Sequence, residues 1–303
     1  MVRSILAQDH ENLELVISDN ASTDHTEELC RELARQDSRI VYHRQRENIG
    51  ATNNFIYVGE VANGAFLRWA GDDDRLEPSC VSRSMRMFAE DERLILVTSQ
   101  TSYTDPEGVT RTMPYTGTDL GSDDPVTRMA EMLRLHTETY LLLDPLYGVI
   151  RREALTRIPR RNMLREDEVL AIKLALAGPW GHVPEILSHR NVHHRRLPAL
   201  VPHLGVPRWT ARFATTLQYR EILNWLPQAG LTRRSTGGPA RSCSACTCSA
   251  SGGSWRGAAE GAAPGHRPPL IHRVPTGRPA GFGRIVGPLF HRILGHETTP
   301  DIA

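Results

Sequence analysis

Three consecutive aspartates, Asp72, Asp73 and Asp74, close a short apolar run in "FLRWAGDDDRLE" (66–77). Like charges this close repel one another. Either solvent screens them or a cation joins them, and carboxylate oxygens are what hard divalent cations prefer. Asp19 ends a second apolar run, "LELVISD" (13–19). Glu166, Asp167 and Glu168 open a third apolar segment, "REDEVLAIKLALAG" (165–178). Arg190, His193 and His194 stand in a basic stretch, 189–196. Each feature alone has a plain structural reading. The triplet caps a turn, Asp19 makes an Asx turn, the carboxylates at 166–168 complement a helix dipole, and the basic stretch is a solvated loop.

Hydrophobic spacing predicts the elements that position these groups. Strands are expected at 13–19, 39–44, 65–70 and 93–103. Between them lie a helix capped by Ser22 or Thr23 with Leu29 and Leu33 on one face, a turn at Asn48 and Gly50 leading into a helix with Phe55, Ile56, Val58 and Val61, and a helix from Pro78 with Val81, Met85 and Phe88 inward. Short, nearly continuous apolar strands alternating with helices read as an α/β domain with a largely parallel sheet covered on both faces. In such sheets ligands bind beyond the carboxyl ends of the strands, where Asp19 and the triplet both stand. Farther on, 104–125 reads as a loop, 126–136 as a helix and 145–155 as a strand passing into a helix. An amphipathic helix at 165–178 ends at Gly178, a strand and basic loop fill 182–196, and a helix spans 207–226.

The 303 residues suffice for a sizeable core, and 40% hydrophobic with 23% charged residues is an ordinary globular balance. A net charge of +1 argues against a general nucleic-acid binder. No run of 18 apolar residues and no secretory apolar region are present, and the five scattered cysteines give no disulfide framework, so a cytoplasmic location is expected. The chain divides by composition. Residues 1–230 are expected to form the folded domain, with a nucleotide half at 1–103 and an acceptor half at 104–230. Residues 231–303 hold 20 Gly and Pro, nine arginines and three of the five cysteines, and read as a low-complexity, disordered tail. The spacing of Cys243, Cys246 and Cys248 has no convincing partner set for zinc.

In combination the motifs are specific. "SILAQDHENLELVISDNASTDHT" (4–26), "ENIGATNN" (47–54), "AGDDDRLEP" (70–78), "YGVIRREAL" (147–155), "REDEVLAIKLALAG" (165–178) and "ILSHRNVH" (186–193) occur in one order. Together they resemble the family 2 glycosyltransferases, which have the GT-A fold, over about residues 3–196. The resemblance implies transfer of a sugar from a nucleotide-diphosphate donor, with inversion at the anomeric carbon and with Mn²⁺ or Mg²⁺. It implies that Asp19 contacts the donor base and that Asp72 faces the donor, with Asp73 and Asp74 holding the metal. Asp167 falls on the catalytic base, with Glu166 as the alternative. His193 falls near the diphosphate or metal, and Asn48, Gly50 and Arg190 are candidate donor contacts. Family members normally begin with a strand and a "PTYN"-like turn, which would precede residue 1 here.

The chemistry is coherent. A divalent cation neutralises charge building on the leaving diphosphate. A carboxylate takes the proton of the attacking acceptor hydroxyl. Inversion needs only one such base. The expected acceptor is a surface polysaccharide, glycolipid or lipid-linked intermediate, with peripheral contact at the inner face of the plasma membrane. Two other readings compete. A nucleotidyltransferase should carry a Gly-rich, lysine-containing phosphate loop near its start, whereas Lys173 is the only lysine. A truncated, non-catalytic nucleotide- or partner-binding remnant would bind donor without releasing sugar.

Overall fold

A computed structural model describes residues 1–138, 142–192 and 197–229. His193 and the tail at 231–303 lie outside the described residues. Helix α1 (Val2–Leu6) is followed by β1 (Leu15–Asp19), α2 (Thr26–Gln36), β2 (Ile40–Arg44) and α3 (Ala51–Val61). Strands β3 (Phe66–Leu67) and β4 (Arg75–Leu76) bracket the aspartate triplet and precede α4 (Cys80–Glu90), β5 (Leu96–Thr104) and β6 (Thr110–Arg111). Then come α5 (Pro125–Glu138), β7 (Val149–Arg151), α6 (Arg152–Thr156), α7 (Glu166–Ala177), β8 (Trp180–Asn191), α8 (Leu197–Leu204) and α9 (Ala214–Trp225).

The strands form two sheets. β1 and β2 pair in parallel, with Asp19 opposite Arg44. The main sheet runs β3-β7-β5-β8-β4, with β6 beside β5. Of its pairings only β5 with β8 is parallel. The main sheet is therefore mixed: β7 runs antiparallel between β3 and β5, and β4 and β6 pair antiparallel at β8 and β5. β5 is the central strand and is buried along almost its whole length. Three of its polar residues bond neighbouring elements: the Thr98 and Ser102 hydroxyls bond the Nδ1 atoms of His182 (2.9 Å) and His189 (2.7 Å), and Gln100 donates to the Met113 carbonyl (2.8 Å).

The largest apolar cluster joins Leu96 and Ile150 of the sheet to α5, α7 and Trp225 of α9. Helix α7 is buried on nearly all sides rather than amphipathic. Even Lys173 is buried there, donating to the Pro159 carbonyl (2.9 Å) and to Glu221 (2.8 Å). A separate cluster of Leu164, Leu200, Val201, Leu204 and Ala214 packs α8 against the approach to α7.

Several local expectations change. Helix α2 begins at Thr26, too far along for Ser22 or Thr23 to cap it; the Asp24 carboxylate instead accepts the Thr26 N–H (3.1 Å), and the Ser22 N–H turns back to Asp19 (2.8 Å). Cys30 is its buried residue, and Leu29 is 59% exposed. The strand at 65–70 shrinks to two residues: the Trp69 indole N–H reaches the Phe55 carbonyl (3.2 Å), and the chain leaves the sheet before the aspartates. β8 extends through Asn191, so Arg190 lies on a strand and not in a loop. The helix at 207–226 divides into a 3-10 turn (Arg208–Ala211) and α9.

Candidate active site

Two groups of expected site residues are built on different elements. The first sits at the end of β1. Asp19 is almost fully buried, and its carboxylate accepts bonds from the Ser22 N–H (2.8 Å), the Tyr42 hydroxyl (2.7 Å) and Arg44 (2.5 Å). Burial pushes its pKa up, but the bonds from Ser22, Tyr42 and Arg44 outweigh burial and hold it below the usual value. The neighbouring Asn20 fixes the next turn: it donates to Asn48 Oδ1 (2.8 Å) and accepts the Ile49 N–H (2.9 Å). Asn48 also accepts the Gly50 N–H (2.9 Å). Gly50 has φ of 80°, and a Cβ there would lie 2.8 Å from the Leu204 carbonyl oxygen. Only glycine meets both demands at low cost. Asn48 and Gly50 thus shape the turn that seats α3 against α8.

The second group gathers around Tyr147. Asp74 is buried, and its Oδ2 accepts the Gly71 N–H (2.7 Å). Its Oδ1 faces Arg190 Nε at 3.3 Å. The same guanidinium pairs with Asp144 and lies 3.4 Å over the Tyr147 ring. Burial would push the Arg190 pKa down, but Tyr147, Asp144 and Asp74 hold it above its ordinary value. A buried charge is tolerated only when paired in this way. Burial raises the Asp144 pKa, an effect that Arg190 opposes. Asp72 and Asp73 remain exposed on the turn, and the Asp73 carbonyl accepts a bond from Asn191 (3.3 Å).

Asp167 is coupled to this second group by charge. The Tyr147 hydroxyl feels the charges of Asp74, Asp144 and Asp167 together. Asp167 keeps partial contact with solvent while lying deep among protein atoms. Burial first, and then the like charges of Glu168, Glu166 and Asp144, raise its pKa from 3.8 to about 7. Its two neighbours are committed elsewhere. Arg160 holds both Glu166 oxygens, at 2.6 Å each, and stacks 4.9 Å from the Trp69 ring. Glu168 accepts from Arg165 (3.0 Å) and from Gln218 (2.8 Å). Arg165, just before the helix, has φ of 64°. A non-glycine residue in the left-handed region stores strain that surrounding structure must hold.

The family model described as glycosyl transferase family 2 matches residues 1–155, just over half of the 303. The chain belongs to glycosyltransferase family 2. The glycosyltransferase GlyG of Streptococcus pneumoniae is 21% identical over 171 residues, covering 55% of this chain and 56% of that protein. A Campylobacter jejuni relative, the GalNAc(5)-diNAcBac-PP-undecaprenol β-1,3-glucosyltransferase, is 33% identical over 94 residues, 29% of each protein. Among solved structures, Staphylococcus aureus TarS 1–349 in complex with UDP-GlcNAc superposes with a TM-score of 0.52 at 14% identity, covering 75% of this chain and 66% of that one. This likeness supports the GT-A fold. The chain spans about half the length of the curated relatives it matches over the longest stretches.

Within this family fold, Asp74 and Arg190 pair, and Asp167 acts by charge on Tyr147 and with Asp144, while Asn48 and Gly50 form a separate turn bonded to Asn20, the neighbour of Asp19. Asp144, Tyr147, Arg160 and Trp69 are the additions that sequence reading did not single out as site residues. Tyr147 lies in the quoted "YGVIRREAL" motif. Asp144 and Arg160 carry no local signal, because their partners are 46 and six residues away in the chain.

Proposed function

We propose that the protein is an inverting, metal-dependent glycosyltransferase with Asp167 as its general base. The observation that carries this reading is a half-buried carboxyl in the first turn of α7 whose pKa burial and the charges of Glu168, Glu166 and Asp144 raise to about 7. A base titrating near neutral pH is poised for proton abstraction. In the step, the acceptor hydroxyl oxygen bonds to the anomeric carbon as its proton passes to Asp167. The bond from that carbon to the diphosphate breaks on the opposite face, and the electron pair leaves with the nucleotide diphosphate. Asp167 suits the role better than Glu166, whose oxygens are both held by Arg160.

Asp72 and Asp73 are the exposed carboxylates that would hold Mn²⁺ or Mg²⁺. Asp74 is committed to Gly71 and Arg190, and the described residues contain no cluster of three metal-ligating side chains. Two carboxylates with water and phosphate oxygens form a set that Mg²⁺ accepts. When bound, the cation would neutralise charge on the leaving diphosphate. Asp19, in the β1 group, is assigned to the donor base, with Asn48 and Gly50 shaping its turn. The undecaprenol-linked acceptor in the name of the Campylobacter relative favours a lipid-linked saccharide acceptor.

The test is release of sugar from UDP- and GDP-sugars with and without Mn²⁺, alone and with candidate acceptors. The anomeric configuration of product is read by NMR. Turnover should require the metal, fall at least about 10²-fold in Asp73→Ala and give the inverted anomer. Donor binding without turnover under any condition would instead mark a non-catalytic binding protein.

A further inference from the structure

We propose that α9 and the turn before it dock on an anionic lipid surface. Four large apolar side chains are exposed within residues 208–223: Trp209 (57%), Phe213 (48%), Tyr219 (55%) and Leu223 (62%). Single exposed apolar residues need no explanation, but a contiguous group does. Phe213, Thr216, Tyr219, Arg220 and Leu223 recur at three- and four-residue spacing and so share one face of the helix. The opposite face, Ala214, Gln218, Glu221, Ile222 and Trp225, is buried. Trp209 extends the exposed face, its ring centroid 6.3 Å from that of Phe213.

Charge selects the occupant. Arg208, Arg212 and Arg220 are exposed beside these side chains. The only acidic residue between 197 and 229 is Glu221, which is buried and paired with Lys173 at 2.8 Å. Within residues 197–229 the exposed face therefore offers aromatic, aliphatic, threonine and arginine side chains and no exposed carboxylate. Trp and Tyr place an apolar body and a polar edge at a headgroup boundary. Arginines beside them are attracted to anionic headgroups. This is the composition of a helix that lies in the plane of a membrane surface. Among the described residues no helix is long and apolar enough to cross a membrane.

The docking face is tied to the candidate site through the buried side of α9. Gln218 bonds Glu168, the residue after Asp167, at 2.8 Å. Under the transferase reading this brings the Asp167 end of α7 towards the lipid surface, but docking itself does not depend on that reading.

The experiment is co-sedimentation of the full chain with vesicles of phosphatidylcholine alone and of phosphatidylcholine mixed with phosphatidylglycerol. Binding should favour the mixed vesicles. Trp209→Ser with Phe213→Ser should lower partition about ten-fold. Arg208→Gln, Arg212→Gln and Arg220→Gln should each lower it about five-fold on the anionic vesicles alone. Circular dichroism and donor hydrolysis, run on the same variants, should stay at wild-type values. Unchanged partition in the double variant would overturn the proposal and assign any lipid binding to other residues, such as the nine arginines of 231–303. A dimer in light scattering that the double variant dissociates would overturn it in favour of a contact between copies. Vesicle binding without donor turnover would refute the transferase reading and leave this one standing.

Discussion

Asp167 and Arg190 show opposite ways of placing charge inside a protein. Arg190 stays charged because two carboxylates and an aromatic face surround it. Asp167 pairs with no arginine or lysine among the described residues and is pushed towards its neutral form, with a pKa of about 7. Unfolding returns Asp167 to a value near 3.8. Below that value it is protonated in both states, and its contribution to stability is fully present. As pH rises towards 7 only the unfolded state ionises freely, so that stability is lost. Asp167→Asn should therefore raise stability at pH 8 by about 1–3 kcal/mol, allowing for partial solvent contact. Thermal melts should show the gain shrinking towards zero near pH 4; an equal gain at both pH values would contradict the assigned environment. Removing Arg190 has the reverse effect. Arg190→Ala leaves buried Asp74 and half-buried Asp144 without their cation and should cost about 3–5 kcal/mol in urea unfolding. Arg190→Lys should recover only part of this, because an ammonium cannot both reach two carboxylates and stack on Tyr147 as a planar guanidinium does.

At the scale of elements, the site depends on turns that are fixed by backbone geometry. The 48–50 turn links β2 to α3 and brings Gly50 against the carbonyl of Leu204 in α8. That carbonyl also accepts the Asn162 amide (2.6 Å), on the approach to α7. Gly50→Ala combines a positive φ with a clash against backbone, and neither can relax through a side-chain rotamer. It should cost about 1–3 kcal/mol. Donor binding should weaken along with stability, because the same turn carries Asn48 and bonds Asn20 beside Asp19. Calorimetry and donor titration on the one variant check both effects; wild-type stability in Gly50→Ala would refute the contact with α8.

Across the whole molecule, the readable parts of the sequence were those set by local pattern. Apolar runs marked β1, β2 and β5, and the acidic start and Gly178 marked α7, whose observed ends are Glu166 and Ala177. The aspartate triplet and Asp167 stood out because carboxylates beside apolar runs are conspicuous. What local pattern does not encode is which partner satisfies a charge. The pairing of Arg190 with Asp144 and of Arg160 with Glu166, and the antiparallel return of β7, arise only when distant segments meet. Leu29 misled for a related reason: helix α2 buries the Cys30 side against β1 and β2, and leaves Leu29 in solvent. The proposed sugar transfer turns on proton abstraction by Asp167. The most direct measurement compares donor affinity and single-turnover rate in wild type and Asp167→Asn. The account predicts donor affinity within about three-fold of wild type and a rate lower by about 10²–10⁴. A wild-type rate in Asp167→Asn would contradict it.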